Sequence, residues 1–467
     1  MEMSKKSPLE NQITDGVIWK QLLAFFFPIL LGTFFQQLYN TIDAVIVGQF
    51  VGKEALAAVG GPASTIINLL VGFFVGLSSG ASVIISQYYG AERPEETQKA
   101  VHTAMALSIV GGALLMVAGI ALAPCSLAAM DTPADIMDFS ITYMRIYFSG
   151  TIFSLIYNVG SGILRAVGDS RRPLYFLIVS SIVNVILDLV FVLGFRWGVV
   201  GVSIATVASQ VCSAILVMLT LTKTPRIYQV DIKAIRFHGT IFNQIIKIGL
   251  PAGLQSVLYS VSNIIIQASV NSFGTDTVAA WTAYGKIDGI FWMIMSAFGI
   301  AITTFAGQNF GAQKYHRLRK SVTVCCGMAF LASALMSVVL VVSGPYVYQL
   351  FTNDANVIDI GLRAMDVMVP FYFTYVFIEV LSGAMRGTGD SFIPTLITCF
   401  GVCVLRVLWI AVAVPMNRTI ETVSMSYPIT WSVTSLLFLL YYLPGGWLKR
   451  SIAKAGFPPE DKTQPQS

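Results

Sequence analysis

Long apolar runs separated by short polar segments dominate the chain. No charged residue lies between Glu54 and Glu92, between Arg196 and Lys223, or between Lys320 and Asp354. Each run reaches or exceeds the roughly 20 residues with which an α-helix crosses a bilayer. The runs lack the alternating pattern over about 10 residues that marks membrane β-strands. The pattern predicts an all-α polytopic membrane protein with about twelve transmembrane helices.

Composition strengthens this prediction. Of the 467 residues, 55% are hydrophobic and 11% are charged, whereas a soluble domain carries about 25% charged residues. The residues before Lys20 are polar and lack the apolar core and cleavage site of a secretory signal, so we expect the first span to remain as an anchor. The six cysteines contain no pair of CxxC motifs, and the three histidines are scattered. No zinc-type metal site is predicted.

Lysine and arginine concentrate in alternate connecting segments. The opposite segments hold only Lys53, Arg196 and Arg418. Because cytoplasmic loops carry the excess of Lys and Arg, both termini are predicted to be cytoplasmic, in the cell inner (plasma) membrane. Charges spread over many loops do not form a nucleic-acid-binding face, so no nucleic-acid partner is expected.

The sequence consists of two similar halves. LRAVGDSRRP, which begins at Leu164, returns 221 residues later as MRGTGDSFIP, which begins at Met385. SQYYGA, which begins at Ser86, returns as GQNFGA, which begins at Gly307, at the same offset. In each GDS turn, Gly is expected to adopt positive φ, and Asp or Ser is expected to cap the next helix.

The two GDS turns lie on the same, cytoplasmic side by the charge rule, so the halves share one orientation. Parallel repeats of this kind are a standard design of secondary transporters, with the substrate path between the halves. The sequence therefore predicts an N-terminal cytoplasmic tail 1–19, a first lobe 20–223 with spans one to six, a cytoplasmic linker 224–240, a second lobe 241–448 with spans seven to twelve, and a cytoplasmic tail 449–467.

Five segments, in this order and at these spacings, resemble the multidrug and toxic compound extrusion (MATE) family. They are PILLGTFFQQLYNTIDAVIVGQFVGKEALAAVG, SQYYGA, LRAVGDSRRP, NVILDLVFVLGF and GVVGVSIATVASQ. The resemblance implies two six-helix bundles that export organic, often cationic, compounds in exchange for protons or sodium ions. The acidic residue in the first span is similar to the DinF-like prokaryotic branch, in which the N-terminal lobe carries the cation site. We expect no cofactor besides the coupling ion, a small-molecule substrate, a lipid bilayer environment and a monomer.

The resemblance assigns the cation-coupling site to Asp43, Asn184, Asp188 and Thr206. Depth along the helices agrees, because Asp43, Asp188 and Thr206 each lie about 12–13 Å below the outer ends of their spans. Asn184 lies one turn from Asp188 on the same helix face. A carboxylate in hydrocarbon costs roughly 2.5–3.5 kcal/mol and by default marks an ion or substrate path.

The chemistry of this site suits either coupling ion. Two close carboxylates in a low-dielectric site cannot both ionise cheaply, so one is expected to hold a proton. The same oxygens suit a hard cation such as Na⁺. The sequence leaves the choice of ion open, and it leaves open whether these side chains only join helices through polar contacts.

The second half does not duplicate the acidic pair, because the positions that match Asp43 and Asp188 are apolar. Its spans instead carry Asp288, Glu379 and Arg406. Glu379 and Arg406 lie about 15 and 18 Å above the inner ends of their spans, which predicts an ion pair between them. A role in the substrate path is the alternative, and a second ion site in this half stays open.

Side chains that suit the substrate path are polar, aromatic or sulfur-containing, because these can contact a bulky cation. Ordinary helix packing is the alternative for each. The candidates are Gln36, Tyr39, Tyr157, Asp288, Met293, Glu379 and Arg406. Pro28 and Pro251 are hinge candidates, since proline inside a helix removes a backbone hydrogen bond and bends it. A static kink is the alternative.

Other functions fit the sequence less well. A lipid-linked oligosaccharide flippase of the same superfamily usually carries extra spans and a strongly cationic cavity, and a metabolite exporter is a further alternative. The chain has no HExxH motif and no P-loop, which disfavours an intramembrane enzyme and ATP-driven transport. The run GLSSGAS, from Gly76, is better explained by helix packing through small residues. A repeat with a single asymmetric acidic site favours a transporter over a channel.

Overall fold

The structure is a computed structural model that describes residues 13–455, and this part of the chain is helical with no β-strand. The α-helices are α1 (Ile18–Ile46), α2 (Lys53–Gly60), α3 (Pro62–Gly90), α4 (Pro94–Ala129), α5 (Ala134–Ser149), α6 (Thr151–Ala166), α7 (Arg171–Asp188), α8 (Gly198–Lys223), α9 (Gly239–Asn271), α10 (Thr275–Gly311), α11 (Tyr315–Gln349), α12 (Ala355–Met368), α13 (Tyr372–Gly387), α14 (Phe392–Thr398), α15 (Leu405–Met416), α16 (Ile420–Tyr442) and α17 (Gly446–Ala455). Three π-helical segments (Val47–Val51, Leu189–Gly194 and Cys399–Val404) and two 3₁₀ segments (Ile232–Ala234 and Val369–Phe371) complete the helical structure.

Within the described residues, 11 helical stretches are long and apolar enough to cross a membrane. A further stretch, α5 followed by α6, is interrupted only at Gly150. In the second half, the corresponding helices α12 and α13 form one span. With the α5–α6 stretch, the chain has the predicted twelve spans, and the all-α membrane fold is confirmed. The predicted tails are described only from residue 13 and up to residue 455; their remaining residues, 1–12 and 456–467, lie outside the described part.

The GDS turns have the predicted geometry. Gly168 and Gly389 have φ of 97° and 90°, a conformation that costs glycine little. In the first turn, Asp169 Oδ1 accepts hydrogen bonds of 3.1 Å from the backbone N–H groups of Arg171 and Arg172. The carboxylate thereby caps the start of α7.

The structure contains two compact units. One is Ala24–Gly253, and the other joins Ile13–Leu23 to the chain from Leu254 onward. The boundaries between the units fall inside α1 and α9. The sequence places the boundary between the lobes in the segment 224–240. Pro28 and Pro251 lie inside these two helices, each close to a unit boundary.

The two units repeat one packing scheme. In the first unit, α3 packs on α4 and α6, and α8 packs on α6 and α7. In the second unit, α10 packs on α11 and α13, and α16 packs on α13 and α15. The internal repeat inferred from the GDS turns therefore extends to the helix contacts.

Close packing in the first unit depends on glycines in the GLSSGAS run. A Cβ at Gly80 would collide with the backbone of Ile245 and Gly249, and one at Gly249 would collide with the backbone of Leu77. Small residues let helix backbones approach in this way. The prediction that this run packs helices is confirmed.

Candidate functional site

Asp43 and Asp188 lie together inside the first unit. Their side chains are buried, with exposed fractions of 9% and 0%. The two carboxyl groups are close enough to influence each other electrostatically. In the described part of the chain, Asp43 Oδ1 and both carboxyl oxygens of Asp188 have no partner at normal hydrogen-bond geometry. The two acids expected to share a site therefore lie close together, and their role as a cation site stays a prediction.

Both acids precede a π-helical segment. Asp188 is the last residue of α7 and is followed by Leu189–Gly194, and the helix that carries Asp43 continues into Val47–Val51. The two π segments pack on one another, and α8 packs on both. A π segment widens the helix by one residue per turn and is frequent at functional sites. These segments were not predicted from the sequence.

The other two predicted site residues are buried on neighbouring helices. Asn184 is fully buried, and neither its amide oxygen nor its nitrogen has a hydrogen-bonding partner among the described residues. Thr206 on α8 is 8% exposed and donates its hydroxyl proton to the carbonyl oxygen of Val202 at 3.0 Å. The Thr206 oxygen therefore remains available only as an acceptor.

Tyrosines surround the acidic pair. Tyr143 on α5 lies within electrostatic range of Asp43, Asp188 and Tyr39. Tyr147, one turn further along α5, has its ring centroid 6.1 Å from that of Tyr143. Tyr143 and Tyr147 were missed by the sequence analysis. Tyr143 lies about 13 Å into its span from the start of α5, a depth similar to that of the acids, and this signal could have identified it.

Three predicted substrate-path residues connect to this cluster. Tyr39 lies close to Asp43, Tyr147 and Tyr157, and the exposed side chain of Gln36 lies near its hydroxyl. The Tyr157 hydroxyl donates to the carbonyl oxygen of Pro173 at 3.2 Å. Tyrosine hydroxyls therefore lie near the buried acids within the first unit.

Asp288, in the second unit, has a different environment. Trp292 Nε1 donates to Asp288 Oδ2 at 2.6 Å, and the Tyr372 hydroxyl donates to Oδ1 at 2.6 Å. Tyr284 joins the network through a 2.8 Å hydrogen bond with Tyr372. Both carboxyl oxygens of Asp288 are thus satisfied by aromatic donors, which suits a fixed structural anion.

The predicted ion pair between Glu379 and Arg406 is wrong, since none of the ion pairs in residues 13–455 joins them. Glu379 accepts a 3.2 Å hydrogen bond from the Tyr375 hydroxyl, and its charged neighbour is Arg386. The Glu379 carboxyl group fits against Gly299, where a Cβ would collide with it. Depth along two helices did not show which way this side chain points.

Arg406 is buried at 2% exposure. Its Nη2 donates to Thr430 Oγ1 at 3.2 Å, and its Cζ lies 4.1 Å from the centroid of the Tyr427 ring. It also lies within electrostatic range of Asp288. A cation–π contact and a long-range attraction therefore replace the expected ion pair. Met293, the remaining candidate, is half-buried on α10.

The twelve-span repeat and its buried acidic pair define a polytopic helical membrane transporter. The family model MatE matches residues 28–190 and 251–412, one copy in each half. The chain therefore belongs to the MatE family of membrane transporters. The predictions that the chain is a MATE family member, and that it is a transporter and not an enzyme, are confirmed.

Individual relatives match over nearly the whole length. "Probable multidrug resistance protein YoeA" of Bacillus subtilis (strain 168) is 27% identical over 464 residues, which cover 97% of this chain and 99% of the relative. "Probable multidrug resistance protein YpnP" of the same strain is 27% identical over 446 residues, covering 93% and 97%. A solved structure described as the "Outward-facing conformation of a multidrug resistance MATE family transporter of the MOP superfamily" superposes with a TM-score of 0.87 at 22% identity, over 97% of this chain and 100% of that one. At that identity the superposition establishes the fold.

Proposed function

We propose that the protein exports organic, often cationic, compounds in exchange for H⁺ or Na⁺ by alternating access. The observation that carries the proposal is the Asp43–Asp188 pair, buried in one unit with three oxygens that lack hydrogen-bonding partners among the described residues. Such a pair needs a proton or a cation to be stable in a low-dielectric site. The names of the Bacillus relatives support a multidrug substrate range.

Either ion fits the groups present. A proton shared between the two carboxyl groups removes their repulsion. Na⁺ prefers oxygen ligands, which Asp43, Asp188, the Asn184 amide and the Thr206 hydroxyl supply. The described residues contain no group of three or more His, Cys, Asp and Glu suited to a transition metal, and oxygen donors of this kind favour a hard ion.

Coupling requires that the occupied and empty forms of the pair favour different conformations. Pro28 lies in the same helix as Asp43, and a proline bend offers a place where ion occupancy changes the helix direction. The excess of Lys and Arg in alternate loops supports an orientation in the plasma membrane with both termini cytoplasmic.

The test is transport by the full-length protein reconstituted into vesicles. A proton gradient and a sodium gradient are imposed separately, and efflux of a fluorescent organic cation is followed. We expect one gradient to drive transport and the other to have little effect, and we expect Asp43→Asn to abolish the driven component. Equal transport with and without both gradients, or undiminished driven transport by Asp43→Asn, would overturn the proposal.

A further inference from the structure

An open groove of about 390 Å³ lies between α7 and α8, away from the acidic pair. It combines basic side chains at one end with apolar side chains along its length. It is lined by Arg172, Phe176, Leu216, Leu219, Thr220, Lys223 and Thr224.

The basic end of the groove lies at a membrane surface. Arg172 is in the first turn of α7, and Lys223 is the last residue of α8. Because α7 and α8 are consecutive spans that pack on each other, the start of one and the end of the other face the same side of the bilayer. This holds for either orientation of the protein. The apolar part of the groove then extends into the hydrocarbon.

An ion pair with Asp169 holds Arg172 in place, and N–H donors of the Arg172 guanidinium group remain without a partner among the described residues. Asp169, fixed by its caps on α7, pairs with Arg172 Nε at 3.2 Å. Arg172 Nη1 has no hydrogen-bonding partner among the described residues. Lys223 is exposed and takes part in no ion pair in residues 13–455. The groove therefore keeps an uncompensated positive charge.

The internal repeat shows that these cations are not needed to build the turn. The first half reads GDSRRP, whereas the second half reads GDSFIP with Phe392 and Ile393 in place of the two arginines. Gly389 of the second turn still has positive φ, and the helix α14 still begins at Phe392. The two arginines that follow the turn are therefore specific to the first unit, and starting a helix does not explain them.

We propose that this groove binds one phospholipid with an anionic headgroup from the leaflet at which α7 begins. The phosphate lies by Arg172 and Lys223, and an acyl chain follows Phe176, Leu216 and Leu219. Basic pockets between transmembrane helices are known to hold anionic headgroups. The hydroxyls of Thr220 and Thr224 donate to the helix carbonyls of Leu216 and Thr220 at 2.9 and 2.6 Å, so charge and not hydroxyl donation selects the lipid.

The test compares two double variants of the full-length protein. Arg172→Gln with Lys223→Gln removes both charges that line the groove. The control, Arg171→Gln with Lys233→Gln, removes the same charge from exposed residues outside the groove. Retention of phosphatidylglycerol is measured by native mass spectrometry of detergent-released protein. We expect the groove variant to bind it about tenfold or more weakly than the parent, and the control to bind it within about twofold.

Two further arms identify the ligand and the place. Phosphatidylglycerol with a photoreactive acyl chain should label peptides that contain Leu216–Thr224, and Leu219→Trp, which fills the groove without changing charge, should reduce labelling. Inorganic phosphate at millimolar concentration should not displace the lipid, and phosphatidylethanolamine should bind more weakly. Equal binding by both double variants, displacement by inorganic phosphate, equal retention of the zwitterionic lipid, or labelling confined to other peptides would each overturn the assignment.

Discussion

Asp43 lies within electrostatic range of Asp188, and three of the four carboxyl oxygens of this pair have no hydrogen-bonding partner in the described chain. Asp288 in the second unit is the opposite case, because Trp292 and Tyr372 satisfy both of its oxygens. An acid whose oxygens are left free can bind and release an ion, whereas a fully bonded acid holds helices together. The two units therefore differ in how their buried acids are bonded, although they share one fold.

The first prediction follows from this contrast. Asp43→Asn should abolish gradient-driven export, because an amide can neither take up a proton nor supply a charged ligand to Na⁺. Asp288→Asn should keep at least about half of the transport rate while lowering thermal stability, because it weakens two hydrogen bonds to a charged group. Both variants are assayed in vesicles at matched protein content. Loss of transport in Asp288→Asn, at unchanged stability, would contradict the distinction.

Tyr372 provides a second prediction. Tyr372→Phe removes the 2.6 Å hydrogen bond to Asp288 Oδ1 and the contact with the Tyr284 hydroxyl while keeping the ring. A lost hydrogen bond to a carboxylate costs about 1.5–3 kcal/mol. In a chain of this size, each kcal/mol lowers the unfolding temperature by at most about 2–4 °C. The unfolding temperature of the purified protein should therefore fall by a few degrees. The matched control is Tyr375→Phe, which loses a single, longer bond of 3.2 Å to Glu379. A larger shift in the control would show that aromatic packing, and not the carboxylate, dominates this cluster.

Tyr143 gives the third prediction. Its hydroxyl lies within electrostatic range of both acids of the pair. Tyr143→Phe should therefore change the affinity for the coupling ion and slow driven transport several-fold, because it removes a nearby polar group from a low-dielectric site. Folding should be unaffected, because the ring is retained. The dependence of transport rate on H⁺ or Na⁺ concentration measures the effect. An unchanged ion dependence would place Tyr143 outside the ion site.

The apolar runs predicted the helices, the recurring motifs predicted the two halves, and position along each span placed the two acids at one depth. Each of these depends only on distance along the chain. Span length is fixed by bilayer thickness, and depth follows from the rise per residue. Asp43 is on α1 and Asp188 is on α7, where Leu177 lies beside Gly32 of α1. Similar depth on two helices in contact is enough to bring these acids close together.

Distance along the chain does not show in which direction around the helix axis a side chain points. Glu379 and Arg406 lie at compatible depths, yet one side chain fits against Gly299 and the other stacks on Tyr427. The π segments after Asp43 and Asp188 change this direction locally and have no clear sequence signal. The unit boundaries inside α1 and α9 depend on contacts between distant parts of the chain, which no local pattern records.

Arg317 supports a fourth prediction, about the start of the chain. It donates to the carbonyl oxygens of Ile13, Asp15 and Gly16 at 3.1, 2.8 and 2.8 Å and to the Gln21 side chain at 2.8 Å. Arg317→Ala should therefore speed deuterium exchange of the amides in residues 13–21 by about tenfold or more. Arg319→Ala, two residues away on the same helix, is the control. Unchanged exchange in Arg317→Ala would mean that other contacts hold this segment.

The last prediction concerns pH and the segment that precedes α9. His238 lies outside the membrane spans. Each of the two nitrogens of its neutral ring takes part in one hydrogen bond. Thr103 Oγ1, whose proton goes to the carbonyl oxygen of Lys99, accepts from His238 Nδ1 at 3.2 Å. His238 Nε2 accepts from Arg236 Nε at 3.3 Å.

Partial burial, together with the positive charges of Arg236 and Lys99, lowers the pKa of His238 from 6.5. A lowered pKa means that the released histidine binds a proton more readily than the docked one, so docking is strongest above about pH 6.5 and weakens as the pH falls towards the docked value. Deuterium exchange of the amides near His238 should accelerate between about pH 7 and pH 5.5, after correction for intrinsic exchange. His238→Asn keeps a donor for Thr103 but does not titrate, so it should remove this acceleration. If the pH dependence persists in His238→Asn, its source is the other histidine of this contact, His102, whose Nε2 accepts the backbone N–H of Asp231 at 3.0 Å.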